Sequence, residues 1–156
     1  MRIHQATLEA RGRRFAVAAS RFNRVVTEKL VEGATAAFRK HGVSDDDLEV
    51  VWAPGAFELP LVARRLAGSA VFDAVVCLGA VIRGETAHFE HVGGEAARGI
   101  QDAGRDTGVP CIFGVLTTDT LEQALDRAGG KHGNKGWDAA VSAIEMANLL
   151  EQLPKD

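Results

Sequence analysis

Short apolar runs separated by amphipathic segments dominate this sequence. The runs 14–20 and 48–52 each end at polar or turn-forming residues and predict β-strands. Two further runs, 74–82 and 110–116, are apolar at both odd and even positions. That pattern is typical of strands that helices cover on both faces. It predicts four strands, with the last two at the centre of the sheet.

Segments with one apolar face alternate with these runs and predict helices. The first is a helix of about four turns that Asn23 could cap and Gly42 could close. The further predicted helices span 60–67, 88 to about 103, 121–128 after a cap cluster at 118–120, and 134–150. Gly93, Gly94 and Gly99 indicate that the third helix packs closely against another backbone.

Strand and helix therefore alternate along the whole chain. This alternation favours an α/β fold: a flavodoxin-like three-layer α/β/α sandwich with a four-stranded parallel sheet and right-handed crossovers. The length of 156 residues predicts a single domain over residues 1–156. Residues 1–13 form either an arm or an edge strand added to another subunit, and the sequence leaves both open.

Composition and charge narrow the class of protein. Hydrophobic residues make up 46% and charged residues 25%, with 18 Lys and Arg against 21 Asp and Glu. This balance argues against a disordered chain and against a nucleic-acid partner. No apolar run approaches the ~20 residues that span a bilayer, so we expect no membrane partner and a cytoplasmic protein. Cys77 and Cys111 are isolated in apolar runs and predict small buried hydrophobic side chains.

Ligands of open α/β sheets bind at the carboxyl ends of the strands, so the residues that follow each run carry the candidate chemistry. Phe22 and Phe57 stand in polar loops there, where each could cap the core or stack on a planar heterocycle. Glu58 could compensate a helix dipole or accept hydrogen bonds from sugar-like hydroxyls.

The segment Gly84-Glu85-Thr86 leads directly into a helix and could bind an anion such as phosphate through backbone N–H groups and the Thr86 hydroxyl. Glu85 has the wrong charge, so its side chain must turn away and a cation must come from elsewhere. Arg127 and Lys135 are the candidates. The alternative is a solvated helix face.

His88 follows this turn and could act as a proton shuttle near neutral pH. His91, three residues later, raises the possibility of a metal site, but no third ligand accompanies the pair, so we expect no metal. The glycine-rich segment 129–136 lacks the order of residues of a nucleotide P-loop and follows a helix instead of a strand.

Together these motifs resemble the 6,7-dimethyl-8-ribityllumazine synthase family, which catalyses the penultimate step of riboflavin biosynthesis. The resemblance covers nearly the whole chain in the right order. The segments that carry it are 20–23, 54–60, 78–89, 113–117 and 129–136.

The resemblance implies a transferase that needs no cofactor and condenses 5-amino-6-(D-ribitylamino)uracil with 3,4-dihydroxy-2-butanone 4-phosphate. It implies that His88 is the catalytic acid/base and that Glu85, Thr86 and Arg127 bind the phosphate of the butanone. The residues that it implies for binding the ribitylaminouracil are Phe22, Asn23, Ala56, Phe57, Glu58, Ala80, Val81, Ile82, Phe113 and Lys135.

The resemblance also implies assembly. In the family the site lies between the subunits of a pentamer, so that Phe113, Arg127 and Lys135 come from the neighbour and a monomer should be inactive. The segment 129–136 resembles that of members that form a shell of sixty subunits, for which riboflavin synthase is a candidate partner. Asp138 departs from the family, which has a longer Glu there.

Three other functions compete with this one. A flavin- or nucleotide-binding flavodoxin-like module would use the aromatic residues but has no use for His88, Thr86 and Arg127 together. A structural shell protein would assemble without turnover. An archaeal-type riboflavin synthase, which has a related fold, would dismutate the lumazine instead.

Overall fold

The computed structural model describes residues 1–155 and shows one parallel sheet between two layers of helices. The strands lie in the order β2-β1-β3-β4 and span Phe15–Ser20 (β1), Leu48–Ala53 (β2), Ala74–Ile82 (β3) and Cys111–Thr118 (β4). The helices span Arg24–Lys40 (α1), Leu59–Gly68 (α2), His88–Thr107 (α3), Leu121–Asp126 (α4) and Lys135–Gln152 (α5). The predicted three-layer fold and four-stranded parallel sheet are confirmed.

The sheet separates two apolar clusters. Side chains of α1 and α5 pack on one face, where Phe15 stacks on Phe38 with ring centroids 4.5 Å apart. Side chains of α2 and α3 pack on the other face, around Leu59 and Ile100. Because both faces are covered, β1 is buried along its whole length, and β3 is buried except at its last residue, Ile82.

The predicted position of the last strand was wrong. β4 lies at the edge of the sheet and pairs only with β3, whereas β1 takes the second central place between β2 and β3. Phe113 and Thr117 of β4 are accordingly exposed. Apolar residues at both odd and even positions indicate that helices cover both faces of a strand. An edge strand can be covered in this way just as a central strand can, so the pattern does not distinguish the two positions.

Of the two caps predicted for α1, the one at its C-terminal end is confirmed and the one at its N-terminal end is not. Gly42, at φ +100°, closes the helix: its N–H donates to Arg39 O at 3.1 Å, and the next N–H, of Val43, donates to Phe38 O at 3.0 Å. Asn23 occupies the N-cap position with a left-handed backbone (φ 61°), but its side chain makes no capping hydrogen bond.

Two of the three glycines predicted to pack closely against another backbone do pack closely, but their nearest contacts are side-chain atoms. A Cβ on Gly99 would lie 2.6 Å from Cβ of Pro60, and one on Gly93 would lie 3.1 Å from Cγ2 of Thr117. Gly94 faces open space, so the prediction is wrong for that residue. α3 continues past the predicted end near 103 and stops before Gly108, which has φ +73°.

The segment after α4 forms a small antiparallel hairpin, Ala128–Gly130 (β5) with Gly133–Asn134 (β6). α4 therefore ends earlier than the predicted 128. Asn134 then begins α5: its side-chain oxygen accepts the Trp137 N–H at 3.1 Å. Its amide donates to Lys29 O at 3.1 Å, which ties the start of α5 to α1.

Residues 1–13 include no strand and run alongside the end of α5. Asn148 Nδ2 donates to the carbonyl oxygens of Thr7 and Glu9 at 2.8 and 3.0 Å. Arg13 forms an ion pair with Glu151 at 2.7 Å, and this pairing lowers the pKa of the Glu151 carboxyl. Among residues 1–155, no helix is both long and apolar enough to cross a bilayer.

Candidate functional site

A cleft opens at the carboxyl ends of β1 and β3, where α/β sheets bind ligands. Its deeper part, here the inner chamber, has a volume of about 250 Å³. The residues that line the inner chamber are Phe22, Asn23, Ala56, Ala80, Val81, Ile82, Gly84, Thr86, His88, Phe89 and Val92. Most of the predicted site residues of the first three strand ends are therefore brought together.

A second space of about 500 Å³, here the outer chamber, adjoins the first. Its lining comprises Phe22, Pro54, Gly55, Ala56, Phe57, Glu58, His88, His91 and Val92. The two chambers share Phe22, Ala56, His88 and Val92. They form one continuous cleft with His88 at the junction.

Backbone and amide hydrogen bonds fix the aromatic wall of the cleft. The N–H groups of Arg21 and Phe22 donate to the carbonyl oxygens of Ala53 and Pro54 at 2.7 and 3.1 Å. Asn23 Nδ2 donates to Ala80 O at 2.8 Å. These bonds tie the loop after β1 to the ends of β2 and β3.

The two phenyl rings face the cleft and not the core. Phe22 is 71% exposed and Phe57 is 61% exposed, while small lining residues such as Ala56 and Ala80 are buried. Exposure of this size excludes the alternative in which the rings cap the core. Each ring offers a flat apolar surface to a planar ligand.

The turn 84–87 closes the cleft on the side of α3. Thr86 Oγ1 accepts the His88 N–H at 3.4 Å, so the threonine side chain lies at the first turn of the helix. The Arg83 guanidinium pairs with Asp119 at 2.8 Å and stacks 5.0 Å from the Phe89 ring centroid. Both contacts hold the start of this turn in place.

Two predicted carboxylates lie near the cleft in different ways. Glu58 lines the outer chamber and stands at the N-cap of α2, where its side chain makes no capping hydrogen bond. Glu85 is exposed and is absent from the lining of both chambers. The Glu85 carboxylate is therefore not part of the wall of either chamber.

The three residues that the resemblance assigns to a neighbour do not line the cleft of this chain. Phe113 is 38% exposed on the edge strand β4. Arg127 lies after α4 in a separate cavity of about 330 Å³ with Asp119 and His132, and Lys135 is exposed at the start of α5. Neither chamber has a lysine or arginine in its lining.

Sequence reasoning missed several residues of the site. Phe89 and Val92 line the inner chamber from α3. Val92 lies four residues after His88, on the same face of the helix, and that spacing is the signal that could have found it, whereas no helical spacing marks Phe89. Arg83 and Asp119 are 36 residues apart, so no local pattern links them.

Other chemistry-bearing groups lie outside the cleft. Burial raises the pKa of the Cys77 thiol, which is in the core, and raises that of the half-buried Cys111 to about 11. At neutral pH neither is a thiolate nucleophile. Within residues 1–155, no three His, Cys, Asp or Glu side chains converge in a way that could hold a metal ion.

The geometry therefore suits a planar heterocycle with a polar side chain. The inner chamber offers aromatic and backbone contacts, the turn 84–87 offers the Thr86 hydroxyl, and His88 offers an imidazole at the junction of the chambers. Positioned imidazoles of this kind transfer protons in condensation reactions.

Comparison with known protein families agrees with this reading. The sequence matches the family model described as 6,7-dimethyl-8-ribityllumazine synthase over residues 12–151. The match includes every strand, every helix except the last residue of α5, and all of the cleft. The chain belongs to the 6,7-dimethyl-8-ribityllumazine synthase family, whose members are transferase-type enzymes.

Proposed function

We propose that this protein condenses 5-amino-6-(D-ribitylamino)uracil with 3,4-dihydroxy-2-butanone 4-phosphate to give 6,7-dimethyl-8-ribityllumazine, phosphate and water, without a cofactor. The observation that carries the proposal is the position of His88. It lies where the inner chamber, the outer chamber and the turn 84–87 meet. Family membership supplies the reaction class.

The pyrimidine ring occupies the inner chamber in this proposal. Phe22 stacks on the ring, and the backbone of 80–82 pairs with its polar edge, helped by Asn23. The ribityl chain extends into the outer chamber past Ala56 and Phe57, where the Glu58 carboxylate accepts hydrogen bonds from its hydroxyls.

The phosphate of the butanone binds at the turn 84–87. The Glu85 backbone N–H and the Thr86 hydroxyl donate to its oxygens. A dianion also needs a cation, and the linings of the two chambers contain no lysine or arginine. We therefore assign Arg127 of an adjacent copy to the phosphate, and Phe113 and Lys135 of that copy to the pyrimidine.

This assignment requires an oligomer. A ring of five copies gives every cleft the same neighbour, and we propose the pentamer and its sixty-subunit shell on the resemblance of segment 129–136 to shell-forming members. Riboflavin synthase, which uses the product, is the candidate partner for such a shell.

The chemistry consists of bond changes that positioning and proton transfer accelerate. The 5-amino group attacks the ketone and water leaves to form an imine. Loss of the proton on C3 of the butanone then expels phosphate from C4 and leaves an enol, which tautomerises to a ketone at C3. Attack of the ribityl-bearing nitrogen on this new carbonyl closes the ring with loss of a second water. His88 takes and returns protons in these steps.

Replacing His88 with alanine tests the assignment. We expect H88A to lower kcat for lumazine formation by about 10²-fold, the size of effect typical for loss of a general acid/base, while particle mass by light scattering stays unchanged. R98A, on an exposed residue of the same helix outside both chambers, is the control and should keep wild-type turnover. Unchanged kcat in H88A would contradict the proposed role of His88.

A further inference from the structure

We propose that His91 forms a hydrogen bond with the hydroxylated side chain of the pyrimidine substrate. It thereby favours pyrimidines that carry such a side chain over those that do not. This inference rests on the proposed function, because it assigns a side chain to the polyol end of that substrate. His91 has no part in the roles assigned above, yet it lines the outer chamber.

The placement of His91 follows from helix geometry. It lies three residues after His88 on α3, so the two imidazoles occupy the same face about one turn apart. His88 lines both chambers, whereas His91 lines the outer one alone. His91 is thus beside the polyol and away from the reacting ring, which favours a role in binding over one in proton transfer.

The chemistry of the outer chamber supports a polyol. Its lining is apolar apart from Glu58, His88 and His91. A chain of hydroxyls both donates and accepts hydrogen bonds. The Glu58 carboxylate can only accept, and a neutral imidazole supplies one donor and one acceptor, so the two side chains complement each other.

Both side chains are available to a ligand. Glu58 and His91 are exposed, and Glu58 makes no capping bond to α2. A metal is a poor alternative occupant, because residues 1–155 offer no third ligand to the histidine pair. An alkyl side chain would displace water from these polar groups without replacing its hydrogen bonds, and that loss is the source of selectivity.

The test compares two pyrimidines and three variants. The substrates are the ribitylamino pyrimidine and the same pyrimidine with an unhydroxylated pentylamino chain. H91F keeps an aromatic ring of similar size and removes both nitrogens, H91Q restores one donor and one acceptor, and R98A is the control on the same helix.

We expect H91F to raise KM for the ribityl substrate about 3- to 10-fold, the size expected for one lost hydrogen bond, with little change in kcat. KM for the pentyl analogue and for the butanone phosphate should stay at the wild-type value. H91Q should recover most of the loss, and R98A should match the wild type with both pyrimidines.

The inference is overturned if H91F leaves KM for the ribityl substrate unchanged or raises KM equally for the pentyl analogue. Circular dichroism and particle mass of H91F identify a folding defect, and H91A, which also removes both nitrogens, then carries the comparison of the two pyrimidines. A wild-type protein that forms no lumazine contradicts the proposed function itself, which separates the two failures.

Discussion

Within residues 1–155, two buried hydroxyl groups have no hydrogen-bond partner: Ser20 Oγ at the end of β1 and Thr27 Oγ1 in α1. Ser20 is 1% exposed and Thr27 is 0% exposed. A buried hydroxyl that gives up its hydrogen bonds to water without replacing them lowers the free energy of unfolding. We therefore expect both hydroxyls to lower the free energy of unfolding.

Replacing Thr27 with valine should raise the free energy of unfolding by about 1 kcal/mol, because the branched shape is kept and the unpartnered hydroxyl is removed. T35V is the matched control in the same helix: Thr35 Oγ1 donates to Val31 O at 3.0 Å, so valine there should bring no gain. Urea denaturation at equal protein concentration measures both. Lower stability in T27V would contradict the absence of a partner for this hydroxyl.

At the residue scale, the sequence predicted which side chains lie at the cleft better than it predicted the contacts that they make. Phe22, Thr86 and His88 were predicted at the ligand-binding edge because strand ends mark that edge, and they do line the cleft. Asn23 was predicted to cap α1, but its amide bonds Ala80 O across the sheet instead. A short polar side chain before a helix can either cap that helix or form a hydrogen bond with a distant part of the chain. Tertiary contacts decide between the two.

At the element scale, α1 and α5 cross closely at a glycine. A Cβ on Gly136 would overlap the carbonyl oxygen of Leu30, which is backbone and cannot move aside like a flexible side chain. The amide of Asn134, just before α5, bonds to α1 at the same crossing. The small residue allows the two helices to approach on this face of the sheet.

G136A should therefore lower the free energy of unfolding by about 1–3 kcal/mol through overpacking. G94A is the matched control, because Gly94 is an exposed helical residue with no atom near its Cβ position. It should be neutral or stabilising by up to about 1 kcal/mol through helix propensity. Chemical denaturation of both variants measures the difference, and equal effects would contradict the close crossing.

Apolar patterning predicted each element of the sheet and of both helical layers, but it did not predict the place of every strand. β4 shares its two-sided apolar pattern with β3, and only pairing between distant segments puts β4 at the edge. The β5–β6 hairpin was also missed, because glycines at 129 and 133 with positive φ build it and no apolar alternation marks it.

At the scale of the whole molecule, the proposed site is divided between two copies. His88 lines the cleft, while Arg127 lies in a separate cavity beyond Asp119. The proposed reaction needs both groups, His88 for proton transfer and Arg127 for binding the phosphate of the butanone. An active site must then form where one copy's cleft meets another copy's Arg127.

Mixed assemblies of H88A and R127A test this division. Each variant alone should be nearly inactive at low butanone phosphate. After co-assembly, random pairing should restore about a quarter of wild-type sites, since each site takes one group from each of two copies. Lumazine formation by the co-assembled mixture is compared with that of the two variants mixed after separate assembly. Equal activity in the two mixtures would place both groups in one copy's site.

The measurement that tests the central claim most directly is lumazine absorbance followed in parallel with phosphate release from the two substrates. The account predicts a single reaction in which one phosphate appears for each lumazine formed, on the same time course, without added metal or cofactor. The account is contradicted if the folded, assembled protein forms no lumazine from the two substrates, or if lumazine forms without release of phosphate.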